Sequence, residues 1–501
     1  MVGKLVILGA LLSVVSGGYA SPASPKPSNA EPDPAFAVSV TSNGVTYINK
    51  GIAAFGLIPS DFRDSIGDTM GGIGSAITLK RGTWKRSQDG TYSGTLLVQP
   101  DRGYNVISTI DYQARHHEIG FVLSPYYGAE NLTFANAQKT LELKYLKTIL
   151  HWDRNNVKTS GLDALGVRAA QRGFPQNPDA DPQMPIANAT YQHLSIDAEG
   201  LVENADGTIW VSDEYGPYIH HFTKDGHLIQ TIQPPSALLP RTATGELNFT
   251  ASTDPATGRI GNQGLEGLTT DASGKTLYAL LQSATAQDGG LGSTTSRYTR
   301  LLAYDISNPH KRPELKGEWV IGLPLTKKGK TQAASEVHYV KENVFLTLAR
   351  DGGGRGGSDN TSSYKQADLF DISRATDIHN TLFDDPANPI AVNGTLNSTI
   401  TPAAYVPFVS IINDTQLGRF GLHNGDPDDQ NLIDSKWESL ALAPCEDPKY
   451  PNDYFLFTAS DNDFLTTNGV FQGSPYNGGL NVDNQFLVFR LTLPGAEIPH
   501  V

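Results

Sequence analysis

Short apolar runs recur along the chain, alternating with polar positions and separated by Gly, Asn and Asp, and from Ala35 onward this period of two predicts strands rather than helices. Val38-Ser39-Val40 and Val45-Thr46-Tyr47 flank Asn43-Gly44, the signature of a two-residue hairpin. The pattern then repeats itself. Asp197-Ala198-Glu199-Gly200-Leu201 precedes the apolar run at 207–214, and Gly264-Leu265-Glu266-Gly267-Leu268 precedes that at 275–282. Further copies start at Ser335-Glu336-Val337, before 344–348, and at Trp437-Glu438-Ser439-Leu440, before 454–457. A weaker copy runs from Gly74-Ser75-Ala76-Ile77 to 95–98. Third strands are predicted at 218–222, 300–304, 367–371 and 485–489, and fourth strands at 228–232 and 317–321.

Four antiparallel strands recurring at tens of residues predict an all-β chain, a β-propeller of four-stranded blades. Five repeats are visible. The stretches 126–190 and 376–435 carry little repeat signal and leave room for a sixth blade or for excursions; within the first, 164–172 reads as a short helix. The last copy lacks a fourth strand, which the segment near Tyr47 is expected to supply, latching the ring. One domain is expected over 35–501.

With 501 residues, the chain is long enough for two or three ordinary domains or one large all-β domain. Hydrophobic residues at 39% and charged residues at 18% exclude disorder throughout. A net charge of −14 is a poor match for affinity built on phosphate neutralisation, so no nucleic-acid partner is expected. Lys4, the apolar run from Leu5 to Val15, and small Gly18 and Ala20 before Ser21 read as a secretory signal over 1–20. That run is too short for a bilayer of ~30 Å. A Pro-rich linker is read over 21–34, and the mature protein is expected to be secreted, extracellular and monomeric. Seven Asn-x-Ser/Thr acceptors, at Asn131, Asn188, Asn248, Asn360, Asn393, Asn397 and Asn413, agree with an exported glycoprotein. A single cysteine, Cys445, excludes an intramolecular disulfide and is expected to be a buried apolar filler.

In a propeller the first strand of each blade lines the central channel, so the repeated Glu199, Glu266, Glu336 and Glu438 are expected at one level, with Ser75 at the corresponding place in the weakest copy. Converging carboxylates raise one another's pKa unless a cation neutralises them, and a divalent ion with oxygen ligands, Ca²⁺ first, resolves this. The plainer alternative is that each Glu accepts backbone hydrogen bonds from a neighbouring blade and staples the ring. Loops after the second strands gather at one mouth and bring Asp101-Arg102, Asp213-Glu214, Gln282, Arg350-Asp351 and Asp461-Asn462-Asp463 there. Arg241, Arg300 and Arg350 are candidates for gripping an anionic group with a planar fork.

Several other motifs lead nowhere. Gly352 to Gly357 match a dinucleotide loop, but no helix is predicted after them to receive a pyrophosphate. Asn177, Asp179 and Asp181 start like a calcium hand, yet Pro182 stands where Gly is needed. His116-His117 and His220-His221 put neighbours on opposite strand faces, against a shared zinc. Asp426, Asp428, Asp429 and Asp434 form an acidic loop with room for a secondary calcium. No Gly-x-Ser-x-Gly elbow is present.

The runs 194–201 and 210–219, Leu238-Leu239-Pro240-Arg241, Asn262 to Leu268, Leu280 to Ala284 and Arg297 to Leu301 resemble the secreted phytase-like family described as esterase-like activity of phytase. The resemblance spans roughly Gly72 to Arg490. The Glu-Gly-Leu strands are also similar, distantly, to those of calcium-bound sugar lactonases, whose channel Glu binds the metal. The chain departs from the family in Ala349-Arg350-Asp351, where Glu-Arg-Asp is common, and in Ser75 for an acid.

The resemblance implies hydrolysis of phosphoesters on acidic residues. The expectation is therefore a metal-dependent hydrolase, with Glu199, Glu266, Glu336 and Glu438 as ligands, Asp213 or Glu214 as base, and Arg241, Arg300 and Arg350 holding a small anionic substrate. A lactonase-like hydrolase, and a non-catalytic propeller binding glycans or protein, are the alternatives.

Overall fold

The structure, a computed structural model, describes residues 31–498 apart from 106–107, 173–179 and 310. The signal expected over 1–20 and most of the linker expected over 21–34 lie outside the described residues, as do Asn177 and Asp179. Of the linker, Glu31 is described and bonds Lys50 at 2.7 Å.

Five four-stranded antiparallel blades form a β-propeller. Their innermost strands are Ala76–Leu79, Ala198–Glu203, Leu265–Thr270, Ala333–Lys341 and Lys436–Pro444. In each of the first four blades the remaining three strands follow outward in chain order. The divergent stretches supply outer strands, Leu141–Leu150 for the first blade and Ala404–Ser410 for the fourth, so among the described residues they hold excursions and no sixth blade.

The fifth blade closes the ring. Its inner three strands, Lys436–Pro444, Asp453–Asp461 and Asn484–Thr492, come from the end of the chain, and its fourth, Val45–Ile58, comes from the beginning. That strand turns back on Val38–Ser42 through Asn43 and Gly44, both at positive φ (46° and 79°), as a tight hairpin requires.

Five apolar clusters fill the five blade interfaces and make the wheel continuous. Ile77, Leu96 and Phe457 lie between the fifth and first blades; Leu97, Ile196 and Val211 between the first and second. Trp210 with Leu302, Leu280 with Phe345, and Leu346 with Trp437 follow in turn. Each fully buried large apolar side chain contributes about 1.5–3 kcal/mol, and this burial holds the ring without any disulfide. Cys445 is itself buried in the cluster between the fifth and first blades.

The helix read over 164–172 does not form. Gly166–Arg168 is a short strand paired with Met184–Ile186, because the flanking Gly161 and Gly166 and β-branched Val167 favour extended chain over a helix with nothing to pack on.

Candidate functional site

The inner strands approach one another closely because a glycine follows the glutamate. A side chain at Gly200 would meet the backbone of Leu268 at 2.7 Å, and one at Gly267 would run into Val337 of the next blade. Beside these close approaches the ladder bulges. Glu266 is the extra residue between the pairs Leu265–Leu281 and Gly267–Leu280, and Glu438 is the extra residue between Trp437–Ser460 and Ser439–Ala459. Glu199 and Gly200 together face Ser212 in the same way. A bulge re-aims the side chain it carries, and these three glutamates line one end of the channel.

They share a cavity of about 170 Å³ with Asp101, Arg102, Asn105, Asp197, Glu214, Asn262, Gln282, Arg350, Lys436 and Asp463. Seven carboxylates thus meet three cationic side chains in one small space. The cations are engaged: Arg102 bonds Asp197 at 2.7 Å, Arg350 bonds Glu438, and Lys436 bonds Asp461 and, at 2.8 Å, Asp463. Asp197, Glu199 and Glu214 offer carboxylate oxygens within 4.8 Å of one another, as do Asp101, Asp461 and Asp463.

Burial raises the pKa of these acids and like charge raises it further. Glu199 is held well above the ordinary range by burial and then by Glu266, Glu214, Asp197 and Glu438. Glu266 is raised by burial, Glu214 and Glu438. Glu214 is pushed up to about 7 by burial and Asp197. Glu266 Oε1 accepts from Gln282 at 2.9 Å, but Glu266 Oε2 and Asp197 Oδ1 are buried without a hydrogen-bond partner among the described residues. Oxygen-only, anionic and partly unpartnered, this donor set fits a hard divalent cation.

The structure places four of the predicted residues elsewhere. Glu336 is not at the level of the other glutamates, because in the fourth blade the extra residue is Ser335, and Glu336 pairs with Leu348 one step out of phase. Its Oε1 accepts from Val337 and Leu268 backbone N–H groups at 2.8 and 3.2 Å, so it staples two blades. Asp213 is fully buried and accepts from the N–H groups of Asp197 and Tyr215 and from His220, which positions the Asp197 loop. Arg241 bonds the carbonyl of Gly245 in its own loop. Arg300 is buried between Asp288 and Glu318, at 2.9 and 2.8 Å, and also donates to the carbonyl of Phe383. It ties the 376–403 excursion to the third blade. Replacing Arg300 with Met leaves two buried acids unpaired and is expected to cost about 3–5 kcal/mol, read as a lowered urea midpoint; an unchanged midpoint would contradict this tie. The acids Asp426, Asp428, Asp429 and Asp434 do not converge, and Asp434 is buried against Ser460.

Residues 85–464 match the family described as phytase-like, esterase-like activity of phytase. The chain belongs to this family. An uncharacterized secreted protein of Arthroderma benhamiae is 38% identical over 460 residues, covering 85% of this chain and 89% of that one. Among solved structures, a luciferin-regenerating enzyme matches with a TM-score of 0.30 at 9% identity, over 89% of this chain and 97% of the other. A PQQ-bound aldose sugar dehydrogenase of Streptomyces coelicolor matches with a TM-score of 0.27 at 11% identity, over 88% and 99%. Likenesses this weak carry no argument about the chemistry of this site.

The phytase-like match contains every residue that lines the cavity. Among the described residues no helix is long and apolar enough to cross a membrane. Two charged lining residues of this phytase-like chain are not among the candidates drawn from its sequence, Asp197 and Lys436. Each stands two positions before a bulged glutamate, Glu199 and Glu438, and that shared offset from the repeated glutamate is the signal that finds them.

Proposed function

We propose that this phytase-like chain is an exported, metal-dependent hydrolase of phosphoesters, working at the acidic mouth of the propeller. One observation supports this above all: carboxylates outnumber cations in a small cavity where Asp197 Oδ1 and Glu266 Oε2 are buried without partners. Asp197, Glu199 and Glu266 would hold the ion, Ca²⁺ first. When bound, such an ion supplies Lewis acidity toward a phosphoryl oxygen.

The rest is the work of the chain. Arg102 and Arg350 line the cavity, and their guanidinium groups are the planar forks that an anionic substrate would meet there. Glu214, pushed up to about 7, has the affinity that suits proton transfer near neutrality. Water oxygen bonds phosphorus as the ester P–O bond breaks; Glu214 takes one proton from the water and passes it to the departing alkoxide, which leaves as the alcohol.

The test is turnover of a generic phosphoester and of a lactone by the purified protein, with and without chelator. Phosphoester turnover that is lost on chelation and restored by Ca²⁺ is the expected result. Lactone turnover alone moves the same site to a carbonyl substrate. No turnover on either, with melting unaffected by chelation, leaves a non-catalytic binding propeller.

A further inference from the structure

Two carboxylate groups face the same cavity; one surrounds a lysine ammonium, while the other meets a guanidinium at a single oxygen. Lys436 begins the inner strand of the fifth blade, paired across the ladder with Asp461. Its Nζ bonds Asp461, lies 2.8 Å from Asp463 and 3.6 Å from Glu438, and so sits within the Asp101, Asp461 and Asp463 group. The backbone is shaped for this contact. Asp463 takes a positive φ of 50° while its N–H donates to Asp461 Oδ1 at 2.6 Å, which turns the chain back over the end of the strand.

The opposite group, Asp197, Glu199 and Glu214, has no ammonium. Arg102 takes one oxygen of Asp197 and leaves Asp197 Oδ1 buried and unpartnered, in a residue only 1% exposed. Glu266, 3% exposed, leaves its Oε2 in the same condition. The two halves of the mouth therefore differ in kind: one has an ammonium set among its carboxylates, the other has only the Arg102 contact to one oxygen of Asp197 and keeps Asp197 Oδ1 unpartnered.

We propose that Lys436 is a built-in cation occupying the second of two metal positions, so that the mouth takes one divalent ion, on the Asp197 side, and not a pair. This rests on the metal reading of the site given above. A lysine ammonium is a compact point charge with three rotatable donors, and it fits where a second hard cation would otherwise be drawn.

Calcium stoichiometry decides it, measured by calorimetry and by elemental analysis on the dialysed full-length protein. The unsubstituted chain is expected to bind one Ca²⁺ and Lys436→Met two, with Ca²⁺ raising the melting temperature of the variant by more than that of the parent; Lys436→Arg stays at one. One ion in both the parent and Lys436→Met overturns the proposal while leaving the metal reading intact, and two ions in the parent overturn it outright. No ion in the parent with one in Lys436→Met sinks the metal reading but keeps the role of the lysine, and none in either sinks both. Should Lys436→Met fail to fold, the parent answers through Asp463→Asn, expected to keep its ion, and Asp197→Asn, expected to lose it; the reverse pattern overturns the proposal.

Discussion

Replacing Glu266 with Gln is expected to lower metal-dependent phosphoester turnover by about 10²–10³-fold, the scale seen when one charge-stabilising group is removed from a preorganised site, while the fold is kept. The substitution is nearly isosteric, and its amide oxygen still accepts from Gln282 as Glu266 Oε1 does at 2.9 Å. What disappears is the charge of the oxygen that has no partner inside the protein.

The same change separates stability from function. Burial already holds Glu266 well above the ordinary carboxylate range, so its ionised form is disfavoured by the fold, and a neutral amide relieves crowding with Glu214 and Glu438. The metal-free variant should melt no lower than the metal-free parent, and Ca²⁺ should stabilise it less. Steady-state rates with and without Ca²⁺, beside a melting curve of each protein, check this. A rate within twofold of the parent would remove Glu266 from the mechanism.

The architecture was largely legible in the sequence because blades repeat, and a repeat can be recognised even when each strand alone is ambiguous. The closing strand near Tyr47 could be foreseen from a deficit, a last blade one strand short. The site was legible only in part. Glu336 misled because the sequence match Ser-Glu-Val to Leu-Glu-Gly is one residue out of structural phase, and a bulge at Ser335 is invisible until the ladder is drawn. Arg300 misled for a different reason: beside Glu318 on the adjacent strand, it is closed in by Asp288 from the loop at 286–290 and by the Phe383 carbonyl from the 376–403 excursion, whose return path no local pattern encodes. Asp197 and Lys436 were legible in principle, two residues from glutamates already singled out.

Stabilisation of the protein by Ca²⁺ is expected to grow between pH 5 and 8, most steeply near 7. An acid whose folded pKa exceeds its unfolded value destabilises the fold as it ionises, so that stability falls as pH rises from the unfolded pKa through the folded one. Asp197, Glu199 and Glu266 are all raised, and Glu214 reaches about 7, so the penalty in metal-free protein mounts across this window. An ion that binds only the ionised carboxylates of the folded state removes that penalty and adds its own binding energy. Buried histidines work the other way. His116, His221 and His338 are lowered to about 4 by burial, and His117 and His151 are also well below the ordinary value. Their contribution is present above the unfolded histidine pKa, ~6.5, and is lost as pH falls, so metal-free stability alone mixes two opposite slopes. These histidines are absent from the cavity lining and contribute equally with and without the ion. The difference between the two melting temperatures at each pH therefore isolates the acidic mouth. A difference that stays constant from pH 5 to 8, or shrinks, would mean that the carboxylates of the mouth are not what the ion neutralises.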